Sequence, residues 1–159
     1  MLNGSRRRAA VLTLALPLAL GLVGCGSSTG PTSQPTPIPG PSQANITVTC
    51  SAYTVSGSPI GGFAFRLSVP CTIRETAGLG ANLNYVRLRL LLGGSEVERQ
   101  EIGASDIIRA AGTNRVAANG TVNGNFIFDF NRGDATSAIL DFNFTDDRGN
   151  NATASFTLV

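Results

Sequence analysis

From Asn45 to Val159 apolar and polar residues alternate with a period of two, the pattern of strands buried on one face. The clearest run is Gly62 to Arg74. Phe63, Phe65, Leu67, Val69, Cys71 and Ile73 fall on one face, and Ala64, Arg66, Ser68, Thr72 and Arg74 on the other. Pro70 lies inside this run, and a proline there demands an edge or a bulge. A second strand, Tyr85–Leu92, points Val86, Leu88, Leu90 and Leu92 one way and Tyr85, Arg87, Arg89 and Leu91 the other. Phe126, Phe128 and Phe130 share a face. So do Ala138, Leu140, Phe142 and Phe144, and again Ala152, Ala154, Phe156 and Leu158. With Ile46-Thr47-Val48, the stretch 96–102 and a strand near Arg115–Val122, the chain carries seven to eight strands.

Turns fix the pairing. Gly93-Gly94 tolerates positive φ and predicts a hairpin that sets Leu90 opposite Val97 and Arg89 opposite Glu98. That register puts Arg99 on the inner face opposite Leu88, so the strand is expected at an edge or bulged. The turn Asp146–Asn150 pairs Phe144 with Ala152, Phe142 with Ala154 and Leu140 with Phe156. A loop around Ser56–Gly62 pairs Cys50 with Cys71, which are equidistant from Ile60-Gly61. One short helix is expected over Asp106–Ala111 as a crossover between sheets, capped by Ser105 and closed by Gly112. Many short antiparallel strands predict an all-β fold, a single Greek-key β-sandwich. The closing stretch from Leu140 to Val159 resembles the last hairpin of immunoglobulin-like or fibronectin-type modules of bacterial surface proteins. That resemblance implies an immunoglobulin-like architecture and no activity.

The N-terminal pattern is different. Arg6, Arg7 and Arg8 precede an apolar run from Ala9 to Val23, broken only by Thr13, Pro17 and Gly21. A membrane-spanning helix needs about 20 residues, and a basic head with a shorter apolar run is the grammar of an export signal. The run ends Leu22-Val23-Gly24-Cys25. These four residues resemble the lipobox of bacterial lipoproteins. The resemblance implies cleavage before Cys25, a diacylglycerol on its thiol and a membrane-lipid anchor. Ser5-Arg6-Arg7 resembles a twin-arginine signal, but Ala9-Ala10 is less apolar than that route prefers, which favours plain secretion. Gly26 is not the aspartate that retains some lipoproteins in the inner membrane, which points to the outer membrane. Residues 26–44 are rich in Pro, Ser and Thr, with five prolines from Pro31 to Pro41. Such a segment has little to bury and reads as a tether reaching up to about 60 Å. The expected organisation is a signal over residues 1–24, the lipidated cysteine and linker over 25–44, and the sandwich over 45–159.

Charge changes the picture once the signal is removed. The formal +2 of the whole chain becomes −1, with nine arginines against ten acids after residue 24. That leaves no basic field for nucleic acid. The chain has no histidine, which removes Ser-His-Asp and Cys-His machinery and histidine metal sites. It has no tryptophan, and Tyr53 and Tyr85 are its two tyrosines, thin material for a sugar-stacking platform. No cofactor is expected.

Four features remain as candidates. With Cys25 lipidated, Cys50 and Cys71 are left on inward positions; an oxidising compartment favours a disulfide over two buried thiols. Asp146, Asp147, Asn150 and Asn151, joined by Asp129 and Asp134, could offer oxygens to calcium. Turn chemistry explains the same residue types and is the favoured reading. Tyr85, Arg87 and Arg89 line one outward face, either as a grip for an anionic or glycan partner or as a solvated face paired with Glu98 and its neighbours. Sequons begin at Asn45, Asn119, Asn143 and Asn151 and read as accidents of an Asn- and Thr-rich β protein. The leading function is a noncatalytic binding or accessory module of the cell envelope, with an envelope protein or polymer as partner. A carbohydrate-binding module and a carboxylate-dependent hydrolase are the alternatives, the latter requiring two acids brought together.

Overall fold

The computed structural model describes residues 39–158. In chain order the elements are β1 (Ile46–Cys50), β2 (Thr54–Gly57), β3 (Phe65–Glu75), β4 (Ala81–Leu92), β5 (Ser95–Gly103), α1 (Ala104–Ala111), β6 (Arg115–Val116), β7 (Thr121–Phe130), β8 (Ser137–Asp146) and β9 (Asn151–Leu158). Nine strands therefore stand where seven to eight were expected. The unexpected strand is the short β2, too brief to show a period, and the strand expected near Arg115–Val122 divides into the two-residue β6 and the start of β7.

Two antiparallel sheets face each other. In the first, β3 pairs with β7 on one side and with β1 and then β2 on the other. In the second the order is β5-β4-β8-β9, with β6 against the start of β4. The predicted inward faces meet between them. Val69, Ile73, Val86, Leu88, Phe126, Leu140, Phe142 and Phe144 are fully buried in one core. Phe126 of β7 meets Phe142 of β8 edge-on, with ring centroids 5.5 Å apart. Each such aromatic removes a large apolar area from water, worth roughly 1.5–3 kcal/mol.

Irregularities explain where the simple alternation fails. Cys50 lies opposite Cys71 and Thr54 opposite Ser68, so Ser51, Ala52 and Tyr53 face only Val69 and Pro70. The edge bulges there, and Pro70, which has no N–H, accepts at its carbonyl from the Ser51 N–H at 3.0 Å. Pro70 thus sits beside the bulge that its ring required. On β4, Leu83 pairs with Phe144 and Tyr85 with Asn143, leaving Asn84 as an extra residue. The bulge resets the parity, so Ala81 and Leu83 also point inward and the strand begins four residues earlier than the alternation from Tyr85 suggests.

The β4–β5 hairpin corrects the predicted register. Leu92 pairs with Ser95 and Leu91 with Glu96 across Gly93-Gly94, both at positive φ. Val97 is then bulged, and Leu90 faces Glu98, Arg89 faces Arg99 and Leu88 faces Gln100. Without the bulge Arg99 would be driven into the core. With it, Arg99 is exposed and Val97 and Ile102 remain half-buried. The β8–β9 hairpin adopts the predicted register, with Phe144, Phe142 and Leu140 opposite Ala152, Ala154 and Phe156.

The helix also differs at its start. It begins directly from β5 with Gly103 as N-cap in extended backbone, and no side chain caps it, so Ser105 lies within the first turn and is not the cap. The strand delivers an extended residue to that position, which serves as the cap without a hydroxyl. Gly112 closes the helix in the left-handed region at φ 76°. Ile107 is fully buried, and Ala111 rests on β7 at Gly124, where a Cβ would come within 2.9 Å of the Ala111 Cβ.

Candidate functional site

Cys50 and Cys71 face each other across β1 and β3 and form a disulfide, at a sequence separation of 21. Both are buried on the inner face. The bond pins the first strand to the central one beside the bulge that interrupts the edge. Cys25, the candidate lipidation residue, lies outside the described residues.

Tyr85, Arg87 and Arg89 do share the outward face of β4, but their charges are spent within the sheet. Arg87 donates to Glu101 of β5 at 2.7 Å and its guanidinium lies 4.7 Å from the Tyr85 ring centre. Arg89 donates to Asp141 of β8 at 2.6 Å, and Ser155 of β9 donates to the same carboxylate. Burial acts to raise the Asp141 pKa, but the bonds from Arg89 and Ser155 outweigh it and hold the carboxyl below its ordinary value. The partners are Glu101, Asp141 and Glu96, and not the predicted Glu98, because the Val97 bulge turns Glu98 inward. There Glu98 accepts the backbone N–H groups of Asn131 and Arg132.

The acidic turn resolves into hydrogen-bonded roles. Asp146 is buried, and accepts from the N–H groups of Ala44, Arg148 and Asn150 and from the Asn150 side chain. Burial alone would raise its pKa. The Asn150 side chain and the three backbone donors overcome that and bring it down to about 2. Asp147 is ion-paired with Arg115 at 2.8 Å, Asp129 with Arg66 at 2.9 Å and Asp134 with Arg132 at 2.7 Å. Among the described residues no three acids or cysteines gather in a geometry for a metal ion. Turn chemistry accounts for the loop, as the residue types suggest.

A second buried carboxylate went unseen in the sequence. Glu75, at the end of β3, is fully buried, and among the described residues no cation pairs with it. Its Oε1 accepts from the N–H groups of Asn45 and Ala77, and its Oε2 from those of Gly78 and Asn119. Burial raises its pKa, and the four backbone donors together pull it below the usual value. Glu75 and Asp146 therefore hold two successive N–H groups, those of Asn45 and Ala44, where the chain enters β1. Ser42 and Gln43 join the same place through Asn150 and the Asn151 carbonyl.

Two concavities bear on ligand binding. One, of about 220 Å³, is an apolar slot between the sheets, walled by Val55, Leu67, Leu90 and Leu158. The other, of about 560 Å³, runs along β5, β7 and α1. Its acids Glu101, Asp106 and Asp129 are each paired with an arginine, Arg87, Arg109 and Arg66. The bond from Arg66 holds the Asp129 carboxyl below its ordinary pKa, which makes it a poor proton donor at neutral pH.

Comparison with known proteins yields no family model and no curated protein that matches. Two solved structures show a distant likeness. Northeast Structural Genomics Consortium target SoR45 is 14% identical over 73% of this chain and 86% of its own, with a TM-score of 0.43. A second target, described as ApaA from Bordetella pertussis, is 12% identical over 73% of this chain and 94% of its own, with a TM-score of 0.44.

Proposed function

We propose that the chain is a lipid-anchored, noncatalytic module of the bacterial cell envelope, built as an immunoglobulin-like Greek-key sandwich on a proline-rich tether. The observation that carries the reading is Leu22-Val23-Gly24-Cys25 at the end of a basic-headed apolar run of 15 residues. Several acyl chains on one cysteine give stable anchoring without a spanning helix. The Cys50–Cys71 disulfide suits the oxidising side of a membrane. The strand order β5-β4-β8-β9 opposite β1/β2-β3-β7 supports the Greek-key assignment, because β3 to β4 and β7 to β8 both cross between sheets. The pairing of Glu101, Asp106 and Asp129 with arginines supports a binding or structural role over hydrolysis.

The test is to express the full chain with labelled fatty acid and to fractionate the cells. Label and membrane association are expected for the native sequence, and the label is lost in Cys25→Ala. An unlabelled native chain, or a Cys25→Ala chain that still takes up the label, would overturn the proposal.

A further inference from the structure

A two-sheet sandwich has four strand edges, each a row of unpaired backbone groups that invites another strand unless guarded. Three are guarded here. The β1/β2 edge is broken by the bulge into pieces of five and four residues. The β7 edge carries α1, with Ala111 resting at Gly124. The β5 edge is bulged at Val97 and studded with Glu96, Glu98, Arg99 and Glu101. The fourth, β9, has no such device. It is eight residues of regular strand, Asn-Ala-Thr-Ala-Ser-Phe-Thr-Leu, without charge, proline or register shift. Among the described residues β9 pairs with β8 alone. β1 of the other sheet lies near it, and Ile46, Val48, Ala152 and Ala154 are all half-buried against the same core.

The order of side chains along β9 identifies the strand it fits. Asn151, Thr153, Ser155 and Thr157 point outward and are exposed; Ala152, Ala154, Phe156 and Leu158 point inward. Two copies joined by a two-fold axis perpendicular to the sheet must keep both inner faces on one side, so paired residue numbers must sum to an even value. Centring the axis on Ser155 uses nearly the whole strand. Ala154 then faces the partner's Phe156, Ala152 faces the partner's Leu158, and Thr153 faces the partner's Thr157. Small meets large on the inner face, hydroxyl meets hydroxyl on the outer face, and no like charges meet. The β8–β9 hairpin already uses the same small-to-large matching, with Phe144 and Phe142 opposite Ala152 and Ala154.

We infer that β9 is a self-pairing edge: a second copy of this chain adds its own β9 antiparallel, in register about Ser155, and the two β5-β4-β8-β9 sheets become one continuous sheet. The inference does not depend on the anchor at Cys25.

Cysteine crosslinking of the full chain in intact cells tests it. Ser155 is exposed and sits on the proposed axis, so Ser155→Cys should give a species of twice the mass on non-reducing gels. The native chain, and Thr49→Cys on the exposed face of β1, should not give it. Adding Thr153→Arg and Thr157→Arg puts like charges opposite each other twice and should abolish the crosslink. Mixing that chain with one carrying Thr153→Asp, Thr157→Asp and Ser155→Cys should restore it as a mixed dimer. Absence of the Ser155→Cys dimer in folded protein would overturn the inference. So would equal crosslinking from Thr49→Cys, or indifference to the charge exchange.

Discussion

Two buried carboxylates held by backbone N–H groups show how much a single residue contributes here. Glu75 gathers four backbone N–H groups from three segments of the chain. Truncating it to alanine orphans all four in a buried place, at about 1–3 kcal/mol for each unmet group. Glu75→Ala should therefore lose more than about 3 kcal/mol of unfolding free energy, read from urea denaturation. Glu75→Gln should also destabilise, because its amide nitrogen would face two donors. Asp146 adds a pH dependence with a definite sign. Its carboxyl titrates at about 2 in the folded protein and at about 3.9 in the unfolded chain. A lowered folded value means stability that is whole above the unfolded pKa and drains away as pH falls toward the folded one. The urea midpoint should hold steady above about pH 5 and decline between about pH 4 and pH 2. Asp146→Asn should be less stable at neutral pH and show a shallower decline. Neither residue could be singled out from the sequence. Glu75 follows Arg74 at a strand end and looks like any surface ion pair, and its donors lie up to 44 residues away.

At the scale of the element, bulges and close approaches set the geometry. The Cys50–Cys71 pair was legible because both residues fall on inward positions equidistant from a turn, and a hairpin register is simple arithmetic. The disulfide closes a loop of 21 residues, worth about 3 kcal/mol through the unfolded chain. A Cys50→Ala/Cys71→Ala double variant should lose about that much. Intact protein should gain about 2 Da on reduction, one hydrogen for each sulfur. The Val97 bulge was half legible. The impossible position of Arg99 required an edge or a bulge, yet which residue would be extruded depended on Leu90 and Glu98, and on the loop N–H groups that Glu98 captures. The helix is held by a glycine. Gly124→Ala would drive a Cβ to 2.9 Å from Ala111 and 3.0 Å from the Phe126 ring. It should cost about 1–3 kcal/mol as α1 is displaced, measurable as a lowered melting temperature, whereas an alanine at the open Gly103 should have a smaller effect.

Across the whole molecule, the outward faces are satisfied and the strand edges are not all equal. The β4 arginines, whose row in the sequence fits either a grip for a partner or a face paired with its own acids, are engaged by Glu101 and Asp141 from the neighbouring strands. Releasing one should show this. Asp141→Asn should weaken the outer-face network and destabilise by no more than about 1 kcal/mol, the range for a partly exposed pair. A double-mutant cycle with Arg89→Gln would measure the coupling. The chain enters the sandwich at the clasp formed by Glu75 and Asp146, beside the β8–β9 turn. The apolar slot lies near Leu90, Ala138 and Leu158, toward the other end of β8 and β9. The described chain therefore begins at one end of the sandwich and the slot opens near the other.

The sequence by itself determined the long strands, their inward faces, the β8–β9 register and the cysteine pair, because period two and turn length are properties of the local chain. It is also the whole basis for the proposed anchor at Cys25. Tertiary structure alone decided which residues are extruded at the bulges, that Glu75 and Asp146 are buried acceptors, that Gly103 caps the helix, and that the β4 arginines are spoken for. Each of these depends on groups brought together from distant parts of the chain. Whether a carboxylate is a surface charge or a buried clasp, or a strand edge open or covered, depends on its neighbours in space, and alternation along the chain does not name those neighbours.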